Sequence, residues 1–318
     1  MFQVFADWLT YLILGLAPGT HFGESVNFFF YELSKIYVLV FLIIALIAFL
    51  RTFFAAQKIK ALLVKQKFGT GNTLAALFGA VTPFCSCSSI PLFIGFLEAE
   101  VPLGMAFSFL ITSPLVNEVV FILMGGTFGW SVAFCYALSG IILGIGAGVI
   151  LGKLKLNREV LLKFQGQQGQ AKLVKAELPE VWSAKFQFAY QEARRVFKKL
   201  WLVIVLGVGI GAMIHGYVPQ EFFAKYLAMD SFLAVPIAVL LGLPIYAGCS
   251  TLVPIIFSLT MKGVPLGVAL AFMMSIAGLS LPEAIMLKRV LSFKLLTIFF
   301  GIVALGILML GYLFLLFG

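Results

Sequence analysis

Charge is what this chain has least of. Only 11% of its 318 residues are Asp, Glu, Lys or Arg, while 62% are hydrophobic; ordinary soluble domains carry roughly 25% charged residues. A soluble domain could not hide so much apolar surface, whereas a bilayer can. Strict apolar–polar alternation is also missing, which excludes the strands of an outer-membrane barrel. Histidine is nearly absent: His21 and His215 are the two, leaving no His-Glu-x-x-His metal helix and no usable Ser-His-Asp set. A Gly-Lys-Ser/Thr phosphate loop is lacking, so the chain by itself is not an ATPase. It is expected to be no enzyme, and to need no cofactor and no metal. Met1 to Ala6 carries no Lys or Arg, and Asp7 follows, so a cleavable signal peptide is not expected. Cysteine is too sparse for a disulfide framework. Cys85 and Cys87 are too close to bridge comfortably, and Cys135 and Cys249 fall in separate apolar segments.

What is present is a series of apolar stretches, several of about 20 residues or more without a charge, long enough to cross a hydrocarbon core of about 30 Å. The fold expected is an all-α, multi-pass membrane protein. Residues 1–18 read as a short apolar helix ended by Pro18-Gly19, and 33–50 as a span. A basic stretch follows, with Arg51, Lys58, Lys60, Lys65 and Lys67 and no acid. Then come 72–97, 101–124 and 129–151. A polar linker, 152–195, opens a region that holds eleven of the 22 basic residues when counted through Lys199. The second half offers 196–217, 232–260, 264–287 and 293–317. This gives an N-terminal unit 1–151, the linker 152–195 and a C-terminal unit 196–318. The net charge of +9 sits in membrane-flanking loops with no aromatic-basic motif, so nucleic acid is not an expected partner.

The halves echo each other. A shift of 163 residues takes Pro91 to Pro254, Val101-Pro102-Leu103-Gly104 to Val264-Pro265-Leu266-Gly267, Ala106 to Ala269 and Phe109 to Phe272. Basic loops stay on the cytoplasmic side during insertion, so both 51–70 and 152–195 are expected there, in a bacterial inner membrane. That requires an even number of crossings between them, yet three apolar segments intervene. The conflict disappears if 72–97 is a re-entrant hairpin, and 232–260 likewise. Each half then has three full spans plus one hairpin, an odd count that inverts the second half relative to the first. The alternative is a single broken span for each segment, with a parallel repeat.

Irregular backbone at membrane depth is tolerated only where protein or a water-filled cavity covers it. The break Thr82-Pro83-Phe84-Cys85-Ser86-Cys87-Ser88-Ser89-Ile90-Pro91 is therefore a candidate site, and Gly248-Cys249-Ser250-Thr251 is its counterpart. Sulfur at Cys85 and Cys87, with Cys249 if the tips meet, would suit a soft thiophilic centre. A second break runs Thr112-Ser113-Pro114-Leu115-Val116-Asn117-Glu118, matched by Ser275 to Glu283. A carboxyl within a span is a functional suspect by default, and Glu118 and Glu283 are candidates for coupling solute to proton movement. Each has a plainer reading. Glu118 would favour the positive end of a restarted helix, and Glu283, five residues before Lys288-Arg289, would lie at the interface. Cys135 reads as ordinary apolar filling.

The Cys-Ser-Cys break, Pro102-Leu-Gly, Thr112-Ser-Pro-Leu-Val-Asn-Glu118 and the echo Tyr246-Ala-Gly-Cys-Ser-Thr251 resemble the ArsP-type permease family, over nearly the whole chain. The resemblance implies a permease, and in its most concrete form an exporter of trivalent organoarsenicals whose sulfurs here would be Cys85, Cys87 and Cys249. The expected function is a secondary-active permease with a midplane substrate site drawn from Cys85, Ser86, Cys87, Ser88, Ser113, Asn117, Cys249, Ser250 and Thr251. The alternatives are a thiol or redox membrane enzyme using Cys85 and Cys87, and a permease for an unrelated small molecule. The partners expected are a small solute and the lipid bilayer, with further copies of the same chain left open.

Overall fold

The computed structural model describes residues 2–51, 69–82, 86–98, 101–154, 156–161, 182–217, 227, 232–245 and 249–317. Among them helix dominates, and the strand-like pairing is an isolated antiparallel bridge between Val160 and Leu291. Helix α1 (Phe2–Asp7) continues as a π-helical turn, Trp8–Ile13. Gly15 and Gly19, at φ 64° and 80°, then turn the chain into α2 (His21–Arg51). This helix starts twelve residues before the span expected at 33. Its first turns are polar and serve as an anchor: Asn27 Nδ2 donates to Asp7 Oδ1 at 2.8 Å and Asn27 Oδ1 accepts from Gln3 Nε2 at 3.1 Å, tying α1 to α2.

Two short helices follow, α3 (Thr70–Val81) and α4 (Ser86–Glu98), then α5 (Leu103–Leu115), α6 (Glu118–Thr127) and α7 (Trp130–Lys153). Pro114 sits in the last turn of α5. It lacks an N–H and its ring crowds the preceding turn, so the helix stops and restarts as α6 after Val116 and Asn117. Every residue of α5 is buried, which makes it the central helix of this half. Its neighbours give the direction of the chain. On α3, Asn72 meets Ser108 and Gly79 lies against Phe109 and Ser113, so α3 runs parallel to α5. On α4, Ser89 meets Ser113 while Phe96 meets Phe109, so α4 runs antiparallel to it. Arms α3 and α4 therefore run opposite ways, and Phe78 reaches Phe96 with ring centroids 6.4 Å apart. A continuous helix would hold residues 18 positions apart at about 27 Å.

The chain continues through a 3₁₀ turn (Leu156–Glu159) and then α8 (Trp182–Tyr217), α9 (Ala234–Gly242), α10 (Cys249–Met261), α11 (Leu266–Gly278), α12 (Leu281–Leu287) and α13 (Phe293–Phe317). Helix α8 begins inside the segment expected to be linker. Its early turns are basic, which hides them from a search for charge-free spans. They are also aromatic on one side: Phe186 stacks on Phe49 at 4.7 Å, Tyr190 meets Phe41 at 5.8 Å and Phe197 meets Tyr37 at 4.9 Å. Rising numbers on α8 meet falling numbers on α2, so these two long helices pack antiparallel, and Arg51 and Trp182 lie at the same end of the assembly.

The starts of α4, α5, α6 and α7 (86, 103, 118, 130) and of α10, α11, α12 and α13 (249, 266, 281, 293) differ by 163 in every case. Close contacts coincide under the same shift. A methyl on Gly104 would lie 2.6 Å from Gly148 O and 2.9 Å from Gly152 Cα; one on Gly267 would lie 2.7 Å from Gly311 O and 2.6 Å from Leu315 N. These glycines bring backbones together as small residues do between membrane helices. Val101 N–H donates to Phe96 O at 2.9 Å, and Val264 N–H to Leu259 O at 3.2 Å. Helices α7 and α13 meet where Gly306 touches Leu143. The end of α7 and the start of α13 are joined through the linker, because Ser292 N–H donates to Glu159 O at 2.8 Å and Leu161 N–H to Val290 O at 2.8 Å. These two helices are antiparallel as well.

Candidate functional site

The two breaks converge at the centre. Leu115, last residue of α5, lies 3.4 Å from where a methyl on Gly278, last residue of α11, would stand. Around the first break is a buried polar column between α3, α4 and α5. Ser89 Oγ and Ser113 Oγ are hydrogen-bonded at 2.8 Å, both fully buried. Asn72 Nδ2 donates to Ser108 Oγ at 3.0 Å. Thr112 Oγ1 is buried with no hydrogen-bond partner, an arrangement that normally costs about 1–3 kcal/mol. Asn117, buried, is the N-cap of α6: its Oδ1 accepts from Val119 N–H at 2.7 Å.

The second break is built differently. Ser275 Oγ donates to Val239 O at 2.7 Å. Leu281 N–H donates to Leu243 O at 2.9 Å, which ties the start of α12 to the end of α9. Ser280 and Glu283 are each about 1% exposed, and neither Ser280 Oγ nor Glu283 Oε2 has a partner.

Of the residues expected at the site, the structure brings Ser113 against Ser89 and gives Asn117 a capping role. Cys85 lies outside the described residues. So do the side chains of Ser86, Cys87, Ser88, Cys249, Ser250 and Thr251, although their backbones form the first turns of α4 and α10. Glu118 is exposed in the first turn of α6, next to the capping Asn117. Glu283, a coupling candidate whose plainer reading was an interfacial place, is buried within the protein. Cys135 is exposed on α7. The sequence reading missed Asn72 and Ser108; it placed Ser89 and Thr112 in the two breaks without naming them as substrate contacts. Asn72 and Ser108 carried a usable signal, being polar residues inside long apolar segments. No group of three or more His, Cys, Asp and Glu side chains fit to hold a metal occurs among the described residues.

Comparison with known proteins now adds to this geometry. The model of one family, ArsP_1, described as a predicted permease, matches residues 21–316. The chain belongs to this predicted permease family. Among its relatives, the UPF0718 protein MJ0584 of Methanocaldococcus jannaschii is 22% identical over 84% of this chain and 89% of its own length. The UPF0718 protein YraQ of Escherichia coli is 25% identical over 78% of this chain and 68% of its own. A Streptococcus mutans protein whose name describes a two-component membrane permease complex subunit is 30% identical over 33% of this chain and 35% of its own. No solved structure matches. Among the described residues, four helical segments are long and apolar enough to cross a membrane: Leu103–Thr127, Trp130–Lys153, Leu266–Leu287 and Phe293–Leu316. This member of the permease family is a multi-pass membrane protein.

Proposed function

We propose that the chain is a secondary-active permease built from two inverted repeats, with its solute passing a midplane site between two re-entrant hairpins. The observation that carries this reading is the meeting of two interrupted helices at Leu115 and Gly278, the first flanked by the antiparallel arms α3 and α4. Inverted repeats with broken helices at the midplane are a recurrent transporter design. The antiparallel packing of α2 on α8 and of α7 on α13 supports the inversion, since each pair stands at corresponding places in the two halves. The shared end of Arg51 and Trp182 supports placing 51–70 and 152–195 together on the cytoplasmic face of a bacterial inner membrane. In this reading the solute meets Cys85, Ser86, Cys87, Ser88, Ser113 and Asn117 from one half and Cys249, Ser250 and Thr251 from the other. Coupling falls to a carboxyl at a break, with the buried Glu283 favoured over the exposed Glu118.

The family resemblance and the thiols favour export of a thiophilic solute, with trivalent organoarsenicals the concrete case. In cells lacking the chromosomal copy, plasmid-borne protein should confer resistance to phenylarsine oxide, and Cys85→Ser with Cys87→Ser should abolish it at normal expression. Full resistance from the double variant would remove the sulfur argument. A second reading, a hydroxyl-lined passage for an unrelated small molecule, would then stand, favoured by the buried Asn72, Ser89, Ser108, Thr112 and Ser113. The Streptococcus mutans relative's name raises a further reading, a permease that works with a second membrane subunit, which co-purification from native membranes would test.

A further inference from the structure

Residues 280–283 read Ser-Leu-Pro-Glu, the Ser-x-x-Glu pattern of a capping box, in which the serine oxygen takes an N–H of the first turn while the glutamate reaches back to the serine. The structure has neither bond. Ser280 is the N-cap of α12 without a side-chain cap, and Glu283 Oε2 meets no donor. Both side chains are about 1% exposed. The first break does the opposite, since Asn117 completes its cap and Glu118 is exposed. The position 163 residues before Glu283 is Val120, so the buried carboxyl belongs to one half alone.

Helix α12 packs against α8 of its own half and against α4, the hairpin arm of the other, so Glu283 stands at the junction between halves. The described charged groups nearby in the chain or on these helices are Lys185, Arg194 and Lys198 of α8 and Lys288 and Arg289 beyond α12. Arg194, Lys198, Lys288 and Arg289 are exposed, and none of the five is bonded to Glu283 Oε2. Helix α4 brings no charged side chain among the described residues. An ionised carboxylate left unpaired in such surroundings costs several kcal/mol, and the neutral acid far less. A metal cation would want a cage of oxygens, and the unpartnered side-chain oxygens at this break, among the described residues, are Ser280 Oγ and Glu283 Oε2.

Resting on the permease reading above, we propose that Glu283, with Ser280, is the proton carrier of the transport cycle. Glu283 holds its proton while the second break is closed, as in this structure. When the break opens, the proton passes to water in the opened cavity, and the Ser280 hydroxyl donates to the carboxylate that remains. Glu118 takes no part.

Infrared difference spectroscopy on the full-length protein in lipid tests this without any solute. The carbonyl band of a protonated carboxylic acid should disappear reversibly on raising pH in wild type and Glu118→Gln. It should be absent in Glu283→Gln, a neutral isostere, and shifted in its pH midpoint by Ser280→Ala. A band that persists in Glu283→Gln, or one that answers to sodium chloride at fixed pH, overturns the assignment. In proteoliposomes loaded with phenylarsine oxide, a proton gradient should accelerate release several-fold in wild type and Glu118→Gln, and not at all in Glu283→Gln, while solute exchange persists. Equal acceleration in Glu283→Gln also overturns it. No phenylarsine oxide movement in wild type, with the infrared result intact, would sink the organoarsenical reading and leave the proton carrier standing.

Discussion

A methyl group added at Gly104 probes a close backbone-to-backbone helix contact in the first half. The new Cβ would lie 2.6 Å from Gly148 O, short by 0.8 Å of the 3.4 Å at which ordinary contact begins. The obstacle is backbone, so α5 and α7 must separate or tilt along a fully buried face. Overpacking of this kind costs about 1–3 kcal/mol. Alanine recovers about 1 kcal/mol of helix propensity over glycine, so Gly104→Ala should lose about 1 kcal/mol net. Gly267→Ala, 2.6 Å from Leu315 N, should lose the same. Gly146 and Gly301 have open space around the corresponding position, and alanine there should gain about 1 kcal/mol. The two classes should differ by about 2 kcal/mol, or about 3 °C in melting temperature for a chain of this length. Thermal unfolding in detergent, followed by intrinsic tryptophan fluorescence or by aggregation, reads this directly. If Gly104→Ala and Gly267→Ala stabilise as the controls do, the helices do not approach as described, and the matching of the two halves loses its best contact.

The remaining expectations are simpler. Cysteines placed at Lys60 and Gln167 in a Cys-free background should resist impermeant thiol reagents in intact cells while one at Glu221 is labelled; external labelling at Gln167 would restore the parallel repeat. Cys135→Ser should leave resistance and expression unchanged, because that thiol lies exposed on α7 away from both breaks, and a loss of resistance would mean the site has been drawn in the wrong place. Asn117→Ala should cost about 1 kcal/mol of stability through the lost cap, with Asn117→Ser or Asn117→Asp restoring most of it. If those two variants recover stability and not transport, Asn117 contacts solute as well.

The breaks were legible because proline, glycine and clustered hydroxyls have a local meaning that no tertiary contact can reverse. The antiparallel course of α3 and α4 was legible for another reason: loop charge and span length together left few other ways to thread the chain. The early starts of α2 and α8 were not, because a charge-free window cannot see an amphipathic helix whose aromatic side packs on another helix, as Phe186 does on Phe49. Nor could the pattern tell Glu118 from Glu283. Each is a glutamate following a proline near a break, and which one is buried depends on the face that meets a neighbour. For Glu283 that face is set by α8 and α4, far away in sequence. The hydroxyl column was half visible. Its members stand out as polar residues in apolar helices, but the pairing of Ser89 with Ser113 needs the hairpin fold first.

Two contacts described above join residues that are one repeat apart: Leu115 with Gly278, and Leu143 with Gly306. If the halves are related by a two-fold axis, these residues lie on it, where each side chain faces its own copy. Two separate half-length chains, inserted in opposite orientations, would have to carry the same residue on both sides of that axis. Two leucines would collide there, and two glycines would leave a gap. Joining the halves in one gene gives the two sides independent codons, so a leucine can fill the space that a glycine leaves. The same freedom allows a carboxyl at 283 and a valine at 120, a chemical asymmetry that an assembly of identical half-chains could not encode.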